Sequence, residues 1–230
     1  MGKRTKRDKP LPEYTAEHIE KLTPAEAVRR RPEMYLGPER RCSLLVAHAV
    51  LDPFFATGAQ CSRVEVSWTS DGVIQVVDDD GSMDTGARPH GGPHIEHLLS
   101  YLMAGVGLSQ RGSGLCLVNL MSEWFAIEVH QPTRLYRQRF DAGEPRSPET
   151  GAATPPWHTL VTFKPDGRCI DARVPLTANA IIHDLQPVLA NPQSWFLRTT
   201  EHPALSFESS PTKLVLRRVP SAGSPPADNS

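Results

Sequence analysis

The sequence predicts an α+β fold with a mostly antiparallel sheet and helices on one face. Three observations carry this expectation. The runs RVEVSW (63–68) and VIQVV (73–77) alternate around Ser-Asp-Gly, which reads as a hairpin. The runs SLLVAHAVL (43–51) and LCLVNLMS (115–122) are apolar nearly all round, which suits buried helices. Strand-like runs then follow at WFAIEVH (124–130), RLYRQRF (134–140) and TLVTFKP (159–165).

In chain order, residues 1–13 form a polar arm with Lys3, Arg4, Lys6, Arg7 and Lys9. Such an arm reads either as a solubilising tail or as a phosphate-contacting segment. The domain is expected over 14–218. Residues 15–31 read as helical, with Thr15 as a cap and Pro24 restarting the helix behind Thr23. Pro53 is expected to bend or end the helix that begins at 43. A helix at 94–103 leads into the glycine-rich loop AGVGLSQRGSG (104–114). Thr177 caps a helix over 177–191, and TKLVLRR (212–218) reads as a last strand. From 219 onward the chain is rich in Pro, Ala and Ser and is expected to be disordered.

Bulk properties narrow the function classes. The chain has 230 residues, 39% of them hydrophobic, enough for a packed core. A net charge of −1 argues against the whole protein acting as an electrostatic nucleic-acid binder. No apolar run reaches membrane-spanning length, and the basic N-terminus has no apolar stretch behind it. Cys42, Cys61, Cys116 and Cys169 are widely spaced, so reduced thiols and a cytoplasmic location are expected. His94 and His97 share helical spacing near His90, but no cysteine or fourth ligand completes a metal set.

The stretch VVDDDGSMD (76–84) has two readings: an acidic turn at a strand end, or part of a nucleotide pocket. The second gains weight from a resemblance. EYTAEHIEKLTPAEAVRRRPEMYLG (13–37) resembles the start of the ATPase domain of the DNA gyrase and topoisomerase IV B subunits. In order, DGVIQVVDDDG, GSGLCLVNLMS, LYRQRFDAGEP and HTLVTFKPDG extend the similarity over about residues 13–190. This implies the GHKL (Bergerat) sandwich, with ATP or ADP and Mg²⁺ held between helices and sheet. The resemblance assigns the adenine-reading carboxylate to Asp79, followed by Asp80 and Gly81, and a supporting hydroxyl to Thr159. Gly112, Ser113 and Gly114 would open a helix whose free N–H groups suit phosphate. Tyr14 matches an arm tyrosine that reaches the partner's nucleotide in the family's homodimers.

The chain departs from the family at several of these places. The catalytic glutamate position is His48, and the magnesium-binding asparagine position is Asp52. Imidazole can act as a base near neutral pH, and a carboxylate can hold Mg²⁺. Met83 stands where the family has a glycine and is expected to fill part of the pocket. The loop before Gly112 is short. Nothing after 191 resembles the family segment that supplies a lysine to the γ-phosphate. The resemblance therefore implies a stand-alone, catalytically impaired nucleotide-binding or regulatory protein, with gyrase or a second copy as partner. Two alternatives stand beside it: a working ATPase using His48, and a nucleic-acid-binding module using the basic arm.

Overall fold

A computed structural model describes residues 20–55, 60–89, 92–102, 113–156, 158–171, 173–190 and 204–219. The basic arm, Tyr14, Thr15, His90, Gly112 and the tail from 220 lie outside the described residues, as does most of the glycine-rich loop.

The first helix, α1 (Pro24–Arg30), begins where its local chemistry dictates. Thr23 Oγ1 accepts from the Glu26 amide at 3.2 Å, and the Thr23 amide donates to Glu26 Oε2 at 2.7 Å. This reciprocal cap satisfies two backbone donors, and Pro24 suits the first helical position. Residues 20–23 are not helical, so the described part of the expected 15–31 helix is confined to α1. A short α2 (Glu33–Leu36) follows, then α3 (Cys42–Phe55). Pro53 lies inside α3 and does not end it. Placed in the last turn, it removes one backbone hydrogen bond, and Arg218 Nη2 donates to the nearby Phe54 carbonyl at 3.0 Å.

The hairpin is β1 (Arg63–Trp68) and β2 (Ile74–Asp78), closed by a turn with Gly72 at φ +82°. Next come α4 (His94–Ser100) and α5 (Ser113–Leu120). Helix α4 ends three residues before the expected end at 103, and α5, which keeps the expected length, starts and ends two residues earlier than 115–122; the ends have a shared reason. Asn119 Nδ2 donates to the Leu99 carbonyl at 3.0 Å, and Ser122 Oγ donates to the Val118 carbonyl at 2.6 Å. Side chains thus satisfy carbonyls at the helix ends, and the chain leaves the helix in extended form.

The remaining elements are β3 (Ser122–His130), β4 (Leu135–Asp141), β5 (Glu144–Pro145), β6 (Glu149–Gly151), β7 (His158–Pro165), α6 (Ala178–Ala190), β8 (Leu205–Ser210) and β9 (Lys213–Arg218). The expected Thr177 cap forms, accepting from the Ala180 amide at 3.2 Å. The sheet order is β5-β4-β3-β7-β2-β1-β9-β8, with β6 also on β4, and the described pairings are antiparallel. This is an α+β fold built on one open antiparallel sheet.

Alternation decides which sheet face is covered. Val64, Val66, Ile74, Val76, Phe125, Ile127, Val129, Val161 and Phe163 are buried, while their strand neighbours are partly exposed. Helix α3 lies over β1 and β2, α5 over β3 and β7, and the two helices pack on each other. Each large apolar side chain in this layer contributes about 1.5–3 kcal/mol by burial. The other face carries ion pairs such as Glu128–Arg137, each worth about 0–1 kcal/mol.

Among the described residues, Arg29–Asp166 and Arg41–Asp184 are ionic contacts onto buried carboxylates. Arg29 on α1 donates to Asp166 and to the Ser122 carbonyl. Arg168 first, and Arg29 with it, hold the Asp166 carboxyl down to about 2. The arginine-rich segment is therefore a brace between α1 and the end of β7. No described helix is long and apolar enough to cross a membrane.

Candidate functional site

The two halves of the candidate site lie on elements that face each other across the core. On the helix side, His48 and Asp52 are one turn apart on α3, so they share a face. The start of α5 runs against that face. The Gly114 amide donates to Asp52 Oδ1 at 3.0 Å. A Cβ at Gly114 would lie 2.9 Å from the His48 carbonyl oxygen and 3.1 Å from Asp52 Cβ. Gly114 is thus a glycine because two helices meet there. The motif points Gly114 toward phosphate; the structure adds a packing demand that spacing could not reveal.

The His48 side chain is half-buried, and desolvation pushes its imidazole down to about 4. At neutral pH the ring is uncharged and a weak proton acceptor. Asp52 is buried, and its carboxylate suits a hard dication such as Mg²⁺. A carboxylate is the donor type that Mg²⁺ takes, whereas an imidazole nitrogen at His48 is a poor donor for it.

On the sheet side, the three aspartates do different things. Asp78 is buried at the end of β2 and pairs across the strands with Thr159 at the start of β7. Residues directly opposite on paired strands put their side chains on the same face. Asp79 points the other way and is exposed. Its carboxylate accepts from the Ser62 and Arg63 amides, at 2.9 and 3.0 Å, and from Ser62 Oγ. Desolvation alone would raise its pKa, but these hydrogen bonds outweigh it and hold the carboxyl below its ordinary value. Asp79 thus fastens the turn to the start of β1. The carboxylate beside Thr159 on the helix-facing side is Asp78, one residue before the position that the resemblance assigns. Period-2 counting would have found it, since Ile74, Val76 and Asp78 share a face.

Asp80 is also buried and holds the turn together. Its Oδ1 accepts from the Ser82 amide at 2.8 Å, and its Oδ2 from the Gln60 amide at 3.3 Å. The Asp80 amide in turn donates to Asp78 Oδ1 at 2.9 Å. Thr159, fully buried, donates its hydroxyl to the Asp80 carbonyl at 2.7 Å. A Cβ on Gly81 would lie 2.3 Å from the His130 carbonyl oxygen. Close passage of β3 accounts for this glycine without a ligand. Met83 is fully buried within the main core, and its carbonyl accepts from Gln131 Nε2 at 2.8 Å.

Among the described residues no three His, Cys, Asp or Glu side chains group to hold a metal ion. His97 instead stacks on Tyr101, with ring centroids 4.7 Å apart.

No family model matches the chain. Against curated proteins, it is 32% identical over 170 residues to the B subunit of DNA gyrase from Thermotoga maritima, covering 68% of this chain and 27% of that protein. It is 30% identical over 192 residues to the B subunit of DNA topoisomerase 4 from Staphylococcus aureus, covering 75% of this chain and 28% of the relative. The chain therefore spans little more than a quarter of the length of these relatives. Sequence similarity over about seven-tenths of the chain, together with an open antiparallel sheet under helices, shows a GHKL domain related to the B subunits of gyrase and topoisomerase IV.

Proposed function

We propose that this GHKL domain binds adenine nucleotide, ATP or ADP, and is impaired in hydrolysing it, so that it acts through protein contacts. One contrast carries the reading: the buried Asp78 faces Thr159 on the sheet, while His48 replaces a carboxylate on the helix. A buried carboxylate beside a hydroxyl is suited to an adenine edge, accepting from the exocyclic amino group. Asp78 takes that role here, with Asp79 and Asp80 holding the turn in place. Asp52 and the Gly114 end of α5 face the phosphates, and a dication bound there would neutralise their charge.

A general base works best with a pKa near the operating pH. An imidazole held down to about 4 falls short of that by about three orders of magnitude in basicity. Both named relatives are subunits of larger enzymes, which makes a protein partner, such as a gyrase subunit or a second copy, the natural target of regulation.

The test is a calorimetric titration of the protein with ATP and Mg²⁺, paired with phosphate release. Binding with negligible turnover is expected. Turnover that disappears in His48→Ala would overturn the impaired reading in favour of a working ATPase. Absence of binding would remove nucleotide from the proposal.

A further inference from the structure

The turn after Asp78 is gripped by the tip of the β3–β4 hairpin. Gly81 lies against the His130 carbonyl, at the end of β3. The next residue, Gln131, donates Nε2 to the Met83 carbonyl at 2.8 Å. Thr85, 4% exposed, donates its hydroxyl to Gln131 Oε1 at 2.7 Å. Arg134 then donates Nη2 and Nε to the same hydroxyl oxygen, at 2.6 and 3.0 Å. The hydroxyl gives one hydrogen bond and accepts two, which fills its capacity. The Gln131 amide closes the hairpin tip on the Arg134 carbonyl at 2.9 Å.

This grip extends to the buried aspartate through a continuous series of hydrogen bonds. The Ser82 amide, next to Met83, donates to Asp80 Oδ1, and the Asp80 amide donates to Asp78 Oδ1. Thr159 is tied to the same turn through the Asp80 carbonyl. Residues 82–85 are therefore linked by hydrogen bonds to both side chains on the sheet side of the candidate site. An arginine and a glutamine at a hairpin tip would ordinarily be solvated; here both are spent on a single loop.

We infer that Gln131 and Arg134, acting through Thr85 and the Met83 carbonyl, are positioning residues that set Asp78 and Thr159 for the adenine ring. The inference rests on the nucleotide-binding reading above. Holding the turn in its binding geometry before the ligand arrives removes an ordering cost from binding.

Three variants test it: Thr85→Val, which keeps the shape and removes the hydroxyl, Thr85→Ser, which keeps the hydroxyl, and Arg134→Met. Two measurements are needed, amide hydrogen exchange of residues 80–86 without ligand and calorimetric affinity for ATP. Thr85→Val and Arg134→Met should each speed exchange of the Ser82 and Met83 amides and weaken ATP by about tenfold, the loss expected for one hydrogen bond. Thr85→Ser should stay near the parent in both. Unchanged exchange in Thr85→Val would overturn the grip. Faster exchange with unchanged ATP affinity would overturn the positioning role while leaving the nucleotide reading intact. A parent protein that binds no ATP, whatever the exchange, would overturn the nucleotide reading and the positioning role together.

Discussion

Replacing Gly114 with alanine sets two physical effects against each other, and their magnitudes decide the sign. Gly114 is in the first turn of α5, where alanine is ordinarily the better helix former by about 1 kcal/mol. Propensity alone therefore predicts a more stable protein. The geometry predicts the opposite. The new Cβ would sit 2.9 Å from the His48 carbonyl oxygen, a backbone atom that cannot swing aside. It would also lie 3.1 Å from Asp52 Cβ and 3.3 Å from Asp52 Oδ1. Relief requires α3 and α5 to separate by a few tenths of an ångström, and such overpacking costs about 1–3 kcal/mol. The same shift stretches the Gly114 N–H hydrogen bond to Asp52, which is charge-assisted and worth about 1.5–3 kcal/mol when intact. Partial loss of that bond added to the overpacking outweighs the propensity gain, leaving a net destabilisation of about 1–3 kcal/mol. For a domain of this size each kcal/mol lowers Tm by about 2–4 °C. Urea and thermal unfolding of Gly114→Ala against the parent will read the difference. A variant as stable as the parent, or more so, would refute the close approach and return Gly114 to a purely ligand-facing role.

Other expectations follow from the same contacts. Asp78→Asn should weaken ATP binding by about tenfold to a hundredfold, the loss of a charge-assisted hydrogen bond, while Asp79→Asn should leave affinity within a few-fold; calorimetry giving the reverse order would return the adenine contact to Asp79. Met83→Ala should destabilise by about 2–5 kcal/mol, as for a buried core methionine, and a loss below about 1 kcal/mol in urea unfolding would contradict its burial. His48 gives a pH signature. Its folded pKa, about 4, lies below the ordinary 6.5, so the unfolded chain takes up the proton first as pH falls. Stability should therefore decline from about pH 6.5 and reach its full loss near pH 4, by about 1–3 kcal/mol given a half-buried side chain. Urea midpoints at about pH 7 and pH 4.5 should differ less in His48→Gln than in the parent, and parallel pH curves for the two proteins would exclude a desolvated His48.

Much of the fold was readable because its signals are local. The alternation in RVEVSW and VIQVV marks two strands, and Asp71-Gly72 marks their turn, since Gly72 takes the positive φ the turn requires. Thr23 before Pro24 marks the start of α1 by capping chemistry alone, and Glu26 completes the cap in the structure. The ordered motifs shared with gyrase-like sequences then pointed to the family. What local pattern could not supply was the end of each helix and the use of each aspartate. Helix α4 stops at Ser100 because Asn119, distant in sequence, donates to the Leu99 carbonyl. The polar strand LSFESS became β8 only by pairing with β9. Asp78, Asp79 and Asp80 are chemically the same in the sequence. Their roles separate only when β2 pairs with β7 and β1, which turns one carboxylate beside Thr159, one onto Ser62, and one back onto its own turn. Gly81 and Gly114 likewise owe their identity to the His130 and His48 carbonyls, which long-range packing alone brings within reach. Secondary structure was legible because it depends on neighbours along the chain, whereas the candidate site was not, because it depends on neighbours across it.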